Sequence, residues 1–128
     1  MRSQARESVF KYMFSKLFNP SDEGLFDVLC KELNDEDKAF ALELLSSVES
    51  NEEKYLQSIE DLVVGYKLNR LHTVDKCVLI LGMAELDNFK QTPRAVVINE
   101  AVNLAAKFST ENSTDFVNGV LAEYSKEK

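Results

Sequence analysis

Apolar residues recur along nearly the whole chain at the 3.6-residue period of a helix, and no stretch sustains the two-residue alternation of a half-buried strand. Val9, Phe10, Met13, Phe14 and Leu17 form one face of a first helix. Asn19-Pro20 ends it, because proline lacks a backbone donor and biases the preceding residue away from helical angles. Leu25 to Leu33 predicts a short second helix with Phe26 and Leu29 inward. Asn34-Asp35 offers side-chain oxygens to cap a third, whose stripe is Phe40, Leu44, Leu45 and Val48. Ser50 and Glu53 have the spacing of a capping box and predict the start of a fourth helix, with Tyr55, Leu56, Ile59, Leu62, Val63 and Tyr66 buried. A connector from Lys67 to His72 leads to Thr73, the expected cap of a fifth helix carrying Val74, Cys77, Val78 and Leu81. That segment is apolar around much of its circumference, which predicts a central position. Thr92-Pro93 signals the start of a sixth helix running to about Lys107, with Val97, Ile98, Ala101, Leu104, Ala105 and Phe108 inward. Ser109 to Ser113 reads as a loop, and Thr114 to about Ser125 as a last helix burying Phe116, Val117, Val120, Leu121 and Tyr124. Seven helices with short connections predict an all-α bundle.

The length of 128 residues suits one domain spanning 1–128, and 45% hydrophobic with 29% charged residues argues against intrinsic disorder. The longest pure apolar run, Cys77 to Leu81, is far short of the roughly 20 residues that span a bilayer, and the charged start lacks a signal-peptide pattern. A cytoplasmic protein with no membrane partner is expected. Cys30 and Cys77 have no metal-ligand spacing and read as free buried thiols. Neither standard phosphate-cradling loop is present, and His72 sits in a connector with no nucleophile at fixed spacing. The acidic runs fit solvated helix faces rather than a metal loop. No catalytic residue, metal site or cofactor is therefore expected.

The net charge of -7 disfavours nucleic acid as a partner of the chain as a whole, but its distribution is uneven. Residues 1–18 hold Arg2, Arg6, Lys11 and Lys16 against Glu7 alone, a net +3, while the other 110 residues carry 11 basic and 21 acidic side chains, a net -10. Arg2 and Arg6 lie one turn apart on the side of Val9, Met13 and Leu17. Either Arg6 pairs with an acidic residue at the bundle edge, or both arginines grip a phosphate backbone beside the core. Asn99 and Glu100 interrupt a long apolar run, as a buried network or a ligand contact would require. Asn118-Gly119 is a poor helix pair; close helix packing or a backbone exposed to a partner would account for the glycine.

Several of these segments recur together in one known family. Lys67-Leu68-Asn69-Arg70-Leu71, Val74-Asp75-Lys76, Leu79-Ile80-Leu81-Gly82, Glu85-Leu86, Pro93, the run Val97 to Ala105 and Phe116-Val117-Asn118-Gly119-Val120-Leu121 resemble, in order and spacing, the bacterial transcription antitermination NusB family. Arg2, Ala5, Arg6 and Glu7 match parts of its arginine-rich opening. The resemblance implies two packed small helical bundles and a non-enzymatic adaptor. Such an adaptor binds the boxA element of the ribosomal RNA leader jointly with NusE, a small-subunit ribosomal protein, and joins RNA polymerase and other Nus factors to suppress premature termination of rRNA transcription. By position, Arg2 and Arg6 would hold RNA phosphates. Asp75 and Phe116 would lie at the RNA or NusE surface, with Phe116 able to stack on a base and Asn118 beside it on the partner side. A helix-start carboxylate and a core aromatic are the plain alternatives for Asp75 and Phe116.

The chain departs from the family pattern where Ser3 and Gln4 break the arginine run, at Ile80 and Ala95 where basic residues are common, and at Thr114-Asp115. Each lost phosphate contact flattens the salt dependence of binding by roughly 0.7 for a single strand. A NusB-fold protein-interaction module with little direct RNA binding is therefore the second reading. A related domain precedes some ribosomal RNA methyltransferases, but the absence of a glycine-rich nucleotide motif leaves no catalytic expectation here.

Overall fold

The computed structural model describes residues 2–21, 24–63 and 71–126. Its helices are α1 (Arg2–Lys16), α2 (Leu25–Leu29), α3 (Asp35–Ser50), α4 (Glu52–Leu62), α5 (Thr73–Asn88), α6 (Arg94–Phe108) and α7 (Glu111–Lys126), with no strand among the described residues. The all-α, seven-helix expectation is thus what the chain adopts. Helices α1, α2 and α3 pack as one group and α5, α6 and α7 as another; α4 lies on α5 and α7.

The fifth helix belongs to both groups. Asp75 and every residue from Cys77 to Glu85 are buried, and α5 touches α1, α3, α4, α6 and α7. Its valines are only moderate helix formers and its glycine a poor one. Burial of its apolar side chains, each contributing roughly 1.5–3 kcal/mol, decides its conformation and place. Cys77, inside this helix, is a free thiol that burial pushes up to about 11, so it stays protonated at neutral pH.

A side-chain cap sets the start of α3. Asn34 Oδ1 accepts from the Asp37 backbone N–H at 2.8 Å, and Asp35, Glu36 and Asp37 place carboxylates in the positive first turn of α3. The expected Ser50–Glu53 capping box does not form. Ser50 is the last residue of α3, and Asn51 turns the chain into α4 while its Nδ2 donates back to the Ser47 carbonyl at 3.1 Å. At α5 the boundary residue is His72, with Thr73 already helical and no side-chain cap bond. Helix α2 ends at Leu29, four residues before its expected end, and none of its side chains is buried. Instead, Ser8 Oγ donates to the Leu29 carbonyl at 2.9 Å and Phe26 meets Tyr12 edge-on at 5.2 Å. Leu17, expected on the inner face of α1, is 57% exposed because it follows the last helical residue. Tyr66 and the connector residues Lys67 to Arg70 lie outside the described residues.

Two polar clusters tie helices together, one joining α4 to α5 and α7 and one joining α1 to α5 and α6. Asp87 Oδ2 accepts from Tyr124 Oη of α7 at 2.6 Å and from Lys54 Nζ of α4 at 3.2 Å, and Asn88 Nδ2 donates to the buried Tyr55 hydroxyl at 3.2 Å. The second cluster centres on Arg6. Close helix packing falls at Gly82, where an added Cβ would sit 2.8 Å from Leu121 Cδ1 and 3.6 Å from Ala101 Cβ. The Gly119 position has nothing within 4 Å, so helix packing does not account for that residue. Gly82→Val is expected to lower the unfolding free energy by about 2 kcal/mol, since the added side chain would overlap Leu121, which is itself fully buried. A urea midpoint equal to that of the parent protein would contradict this packing account.

Candidate nucleic-acid interface

The basic end of the molecule is built on the first two turns of α1. Arg6 is only 5% exposed. Its Nε donates to Glu85 Oε1 at 2.7 Å and its Nη2 to Glu85 Oε2 at 2.5 Å, a bidentate pair with α5. Its Nη1 donates to Glu100 Oε1 of α6 at 2.8 Å, and Ser3 Oγ donates to the same oxygen. Burial opposes the charged guanidinium, but hydrogen bonds and Coulombic attraction from Glu85 and then Glu100 outweigh it and hold Arg6 above its ordinary range. Of the two arrangements open to Arg6, an acidic pairing or a phosphate grip, the structure has the first. Glu100 is a network member, whereas Asn99 is exposed.

Arg2 differs. It is exposed, and its guanidinium carbon stands 4.5 Å from the centroid of the Phe40 ring, which also lies 5.3 Å from that of Arg6. Phe40 is braced edge-on by Phe89 at 5.0 Å. Among the described residues no carboxylate pairs with Arg2, and a cleft of about 530 Å³ runs beside it, lined also by Glu36, Glu43 and Lys90. Two other cations of this end are engaged: Lys107 Nζ donates to Glu7 Oε1 at 2.6 Å and Lys11 Nζ lies 3.2 Å from Glu7 Oε2. The Lys107 hydrogen bond, partly opposed by burial and reinforced by Lys11, holds the Glu7 carboxyl below its ordinary 4.5. The stability this pairing contributes is present above that value and is lost as the pH falls through the lower, folded one.

A second polar site lies between α5 and α7. Asp75, in the first turn of α5, is 4% exposed; its Oδ2 accepts from Ser113 Oγ at 2.9 Å, while its buried Oδ1 has no hydrogen-bond partner among the described residues. Asp75 lines a cavity of about 410 Å³ with Leu71, His72, Asn112, Ser113 and Phe116. Phe116 is half-buried and packs partly on the core. Because α7 begins at Glu111 and not at Thr114, Phe116 stands in the second turn of the helix, and Ser113, expected in a loop, is a buried helical residue. Asn118 is exposed on α7, as is Gly119. The structure therefore brings Asp75 and Phe116 together, and keeps them apart from Arg2 and Arg6, which belong to the Phe40 and Glu85–Glu100 clusters. Sequence reasoning missed Phe40, Glu85 and Ser113 as polar-site partners. Only the carboxylate of Glu85 inside an apolar helix signalled any of them.

The NusB family model matches residues 2–126. The chain belongs to the NusB family. It is 38% identical over 126 residues to the transcription antitermination protein NusB of Natranaerobius thermophilus, covering 94% of this chain and 91% of the relative. To that of Methylacidiphilum infernorum it is 36% identical over 125 residues, covering 94% and 87%. The fold matches a crystal form of T. maritima NusB with a TM-score of 0.92 at 31% identity, covering 99% of this chain and 92% of the other. It also matches a chain in a crystal structure of antitermination factors NusB and NusE in complex with double-stranded RNA, with a TM-score of 0.87 at 27% identity, covering 99% and 97%. NusB proteins are transcription antitermination factors and not enzymes. Ile80, where the resemblance implies a basic residue is common, is buried and offers no cation.

Replacing Arg6 with methionine is expected to lower stability by about 3–5 kcal/mol, because Glu85 would keep a buried charge without its partner. Chemical denaturation at pH 7 tests this, and a variant as stable as the parent would remove Arg6 from the list of structural residues.

Proposed function

We propose that the chain is a transcription antitermination adaptor that binds boxA-type RNA jointly with NusE and brings the pair to RNA polymerase and other Nus factors during rRNA transcription. The observation that carries this reading is the full-length likeness to a chain of the NusB–NusE–double-stranded RNA structure. In this reading the protein works in the cytoplasm and adds no chemistry of its own.

The side chains divide the work. Arg2, exposed and seated over Phe40, contacts RNA phosphate directly. Arg6 serves RNA by fixing the first turns of α1, since its own donors are occupied by Glu85 and Glu100. Phe116 offers a partly exposed ring for stacking on an unpaired base, and Asp75 and Asn118 lie on the side facing NusE. One observation favours the second reading, a protein-interaction module with little RNA affinity of its own: Arg6, Lys11 and Lys107 are all paired with carboxylates.

Both readings are separated by filter binding of a boxA-type RNA across a salt series, with and without NusE. NusE is expected to tighten RNA binding by about tenfold or more, the scale of one or two added phosphate or stacking contacts. Arg2→Ala should weaken binding and flatten the salt slope by about 0.7. Equal RNA binding with and without NusE would overturn joint recognition; NusE binding with no RNA binding in either case would favour the second reading.

A further inference from the structure

The cleft beside Arg2 carries both signs of charge, supplied by different elements. Arg2 comes from α1 and Lys90 from the loop between α5 and α6, while Glu36 and Glu43 come from α3, one turn to either side of Phe40. All four are exposed, and among the described residues none of them forms an ion pair. Each is therefore available to a ligand. A second hollow of about 240 Å³ adjoins the cleft, because Lys90 and Thr92 line both, and it adds Arg94 without adding a carboxylate. Arg94 too is exposed and outside any ion pair among the described residues. Three cations thus lead from the start of α1, across the α5–α6 loop, to the start of α6.

This mixture of charges selects among ligands. An acidic polypeptide would be drawn to the three cations but repelled by Glu36 and Glu43, and a basic one would meet the reverse. A nucleotide satisfies both. Its phosphate suits the arginine and lysine side chains, and the N–H donors on its base edge suit the carboxylates, as when a glutamate accepts from the exocyclic amino group of cytosine. Those edges are open in a single strand and hidden in the deep groove of an A-form duplex, so the nucleotide is an unpaired one. The site also offers a flat surface to a base, since a guanidinium plane is one on which bases stack and that of Arg2 is held over the Phe40 ring, itself braced by Phe89.

We propose that the cleft between α1, α3 and the α5–α6 loop seats one unpaired nucleotide of the RNA. Its phosphate lies on Arg2 and Lys90, its base donates to Glu36 and Glu43, and the strand continues toward Arg94. Lys90 and Arg94 thereby supply phosphate contacts, and the two glutamates favour a base with an exocyclic amino group. This rests on the reading of the chain as an RNA-binding adaptor, and it assigns a path and a base preference within that reading.

The test is made on the full chain with NusE present, by filter binding of a boxA-type RNA across a salt series, alongside thermal unfolding and calorimetric titration with NusE alone. Lys90→Ala and Arg94→Ala are each expected to weaken RNA binding and to flatten its salt slope by about 0.7, with melting temperature and NusE affinity unchanged. Cytosine has an amino group where uracil has a carbonyl. The parent is therefore expected to bind oligocytidine about fivefold or more tighter than oligouridine of equal length, and the double variant Glu36→Gln/Glu43→Gln to lose that preference. Parental RNA affinity in either cation variant, with Arg2→Ala still weakened, would overturn the inference and leave the adaptor reading standing. So would a parent without the cytidine preference, or a double variant that binds both oligomers more tightly at an unchanged ratio, because the carboxylates would then only repel phosphate. Lost NusE affinity in Lys90→Ala or Arg94→Ala with RNA binding intact would assign this surface to protein and overturn it equally. If the parent binds no RNA with or without NusE, the RNA-binding reading fails and this inference with it.

Discussion

A single buried guanidinium holds the two helical groups in register. Arg6 on α1 reaches α5 through Glu85 and α6 through Glu100, with the Phe40 ring of α3 beside it. Four helices meet at one side chain. An ion pair in a dry interior repays its desolvation only when its hydrogen bonds are well aligned, and here Nε, Nη1 and Nη2 each have an acceptor. Truncation would leave two carboxylates around an empty centre, so the cluster is more informative about the geometry of α1 than about net stability. Ser3 adds to it by donating to Glu100, which ties the first turn of α1 to α6.

Much of this architecture was legible in the spacing of apolar residues. The stripe of α3, the Asn34 cap and the central place of α5 follow from local pattern, because amphipathic period and capping chemistry act within a turn or two. What was not legible depends on distant chain. The register of Arg6 placed it on the core stripe, but its partners lie 79 and 94 residues further on, and no local rule selects them from 22 acidic residues. Glycine illustrates the same limit. Gly82 and Gly119 are equally poor helix residues in sequence; only the Leu121 side chain, brought over from α7, distinguishes a packing requirement from an open surface. Asn51 competed with the Ser50–Glu53 signal and prevailed by bonding back to Ser47, a local contest that propensities do not resolve.

The uneven charge takes on a structural meaning. Within the +3 amino-terminal segment, Arg6, Lys11 and Lys16 are already engaged, by Glu85 and Glu100, by Glu7, and by Tyr12. Arg2 is the basic residue of α1 left facing solvent over an aromatic ring. The acidic excess, by contrast, lies largely on exposed helix faces, where it can steer a basic partner over a distance near the Debye length of about 8–10 Å. With most of the cations of α1 engaged and a net charge of -7 over the whole chain, the molecule is better suited to complete its RNA site in company than to form one alone.

The aromatic contacts of α1 carry a thermodynamic consequence. Phe10 stacks on Phe108 of α6 at 5.0 Å, Tyr12 meets Phe26 of α2, and Arg2 rests over Phe40 of α3, so the helix is gripped along its length by three neighbours. Basic arms on other nucleic-acid-binding chains are often disordered and lose conformational entropy when they bind. Here that ordering is completed during folding. A ligand arriving at Arg2 meets a side chain whose backbone is already immobile, and its binding carries little of the heat-capacity change that accompanies coupled folding.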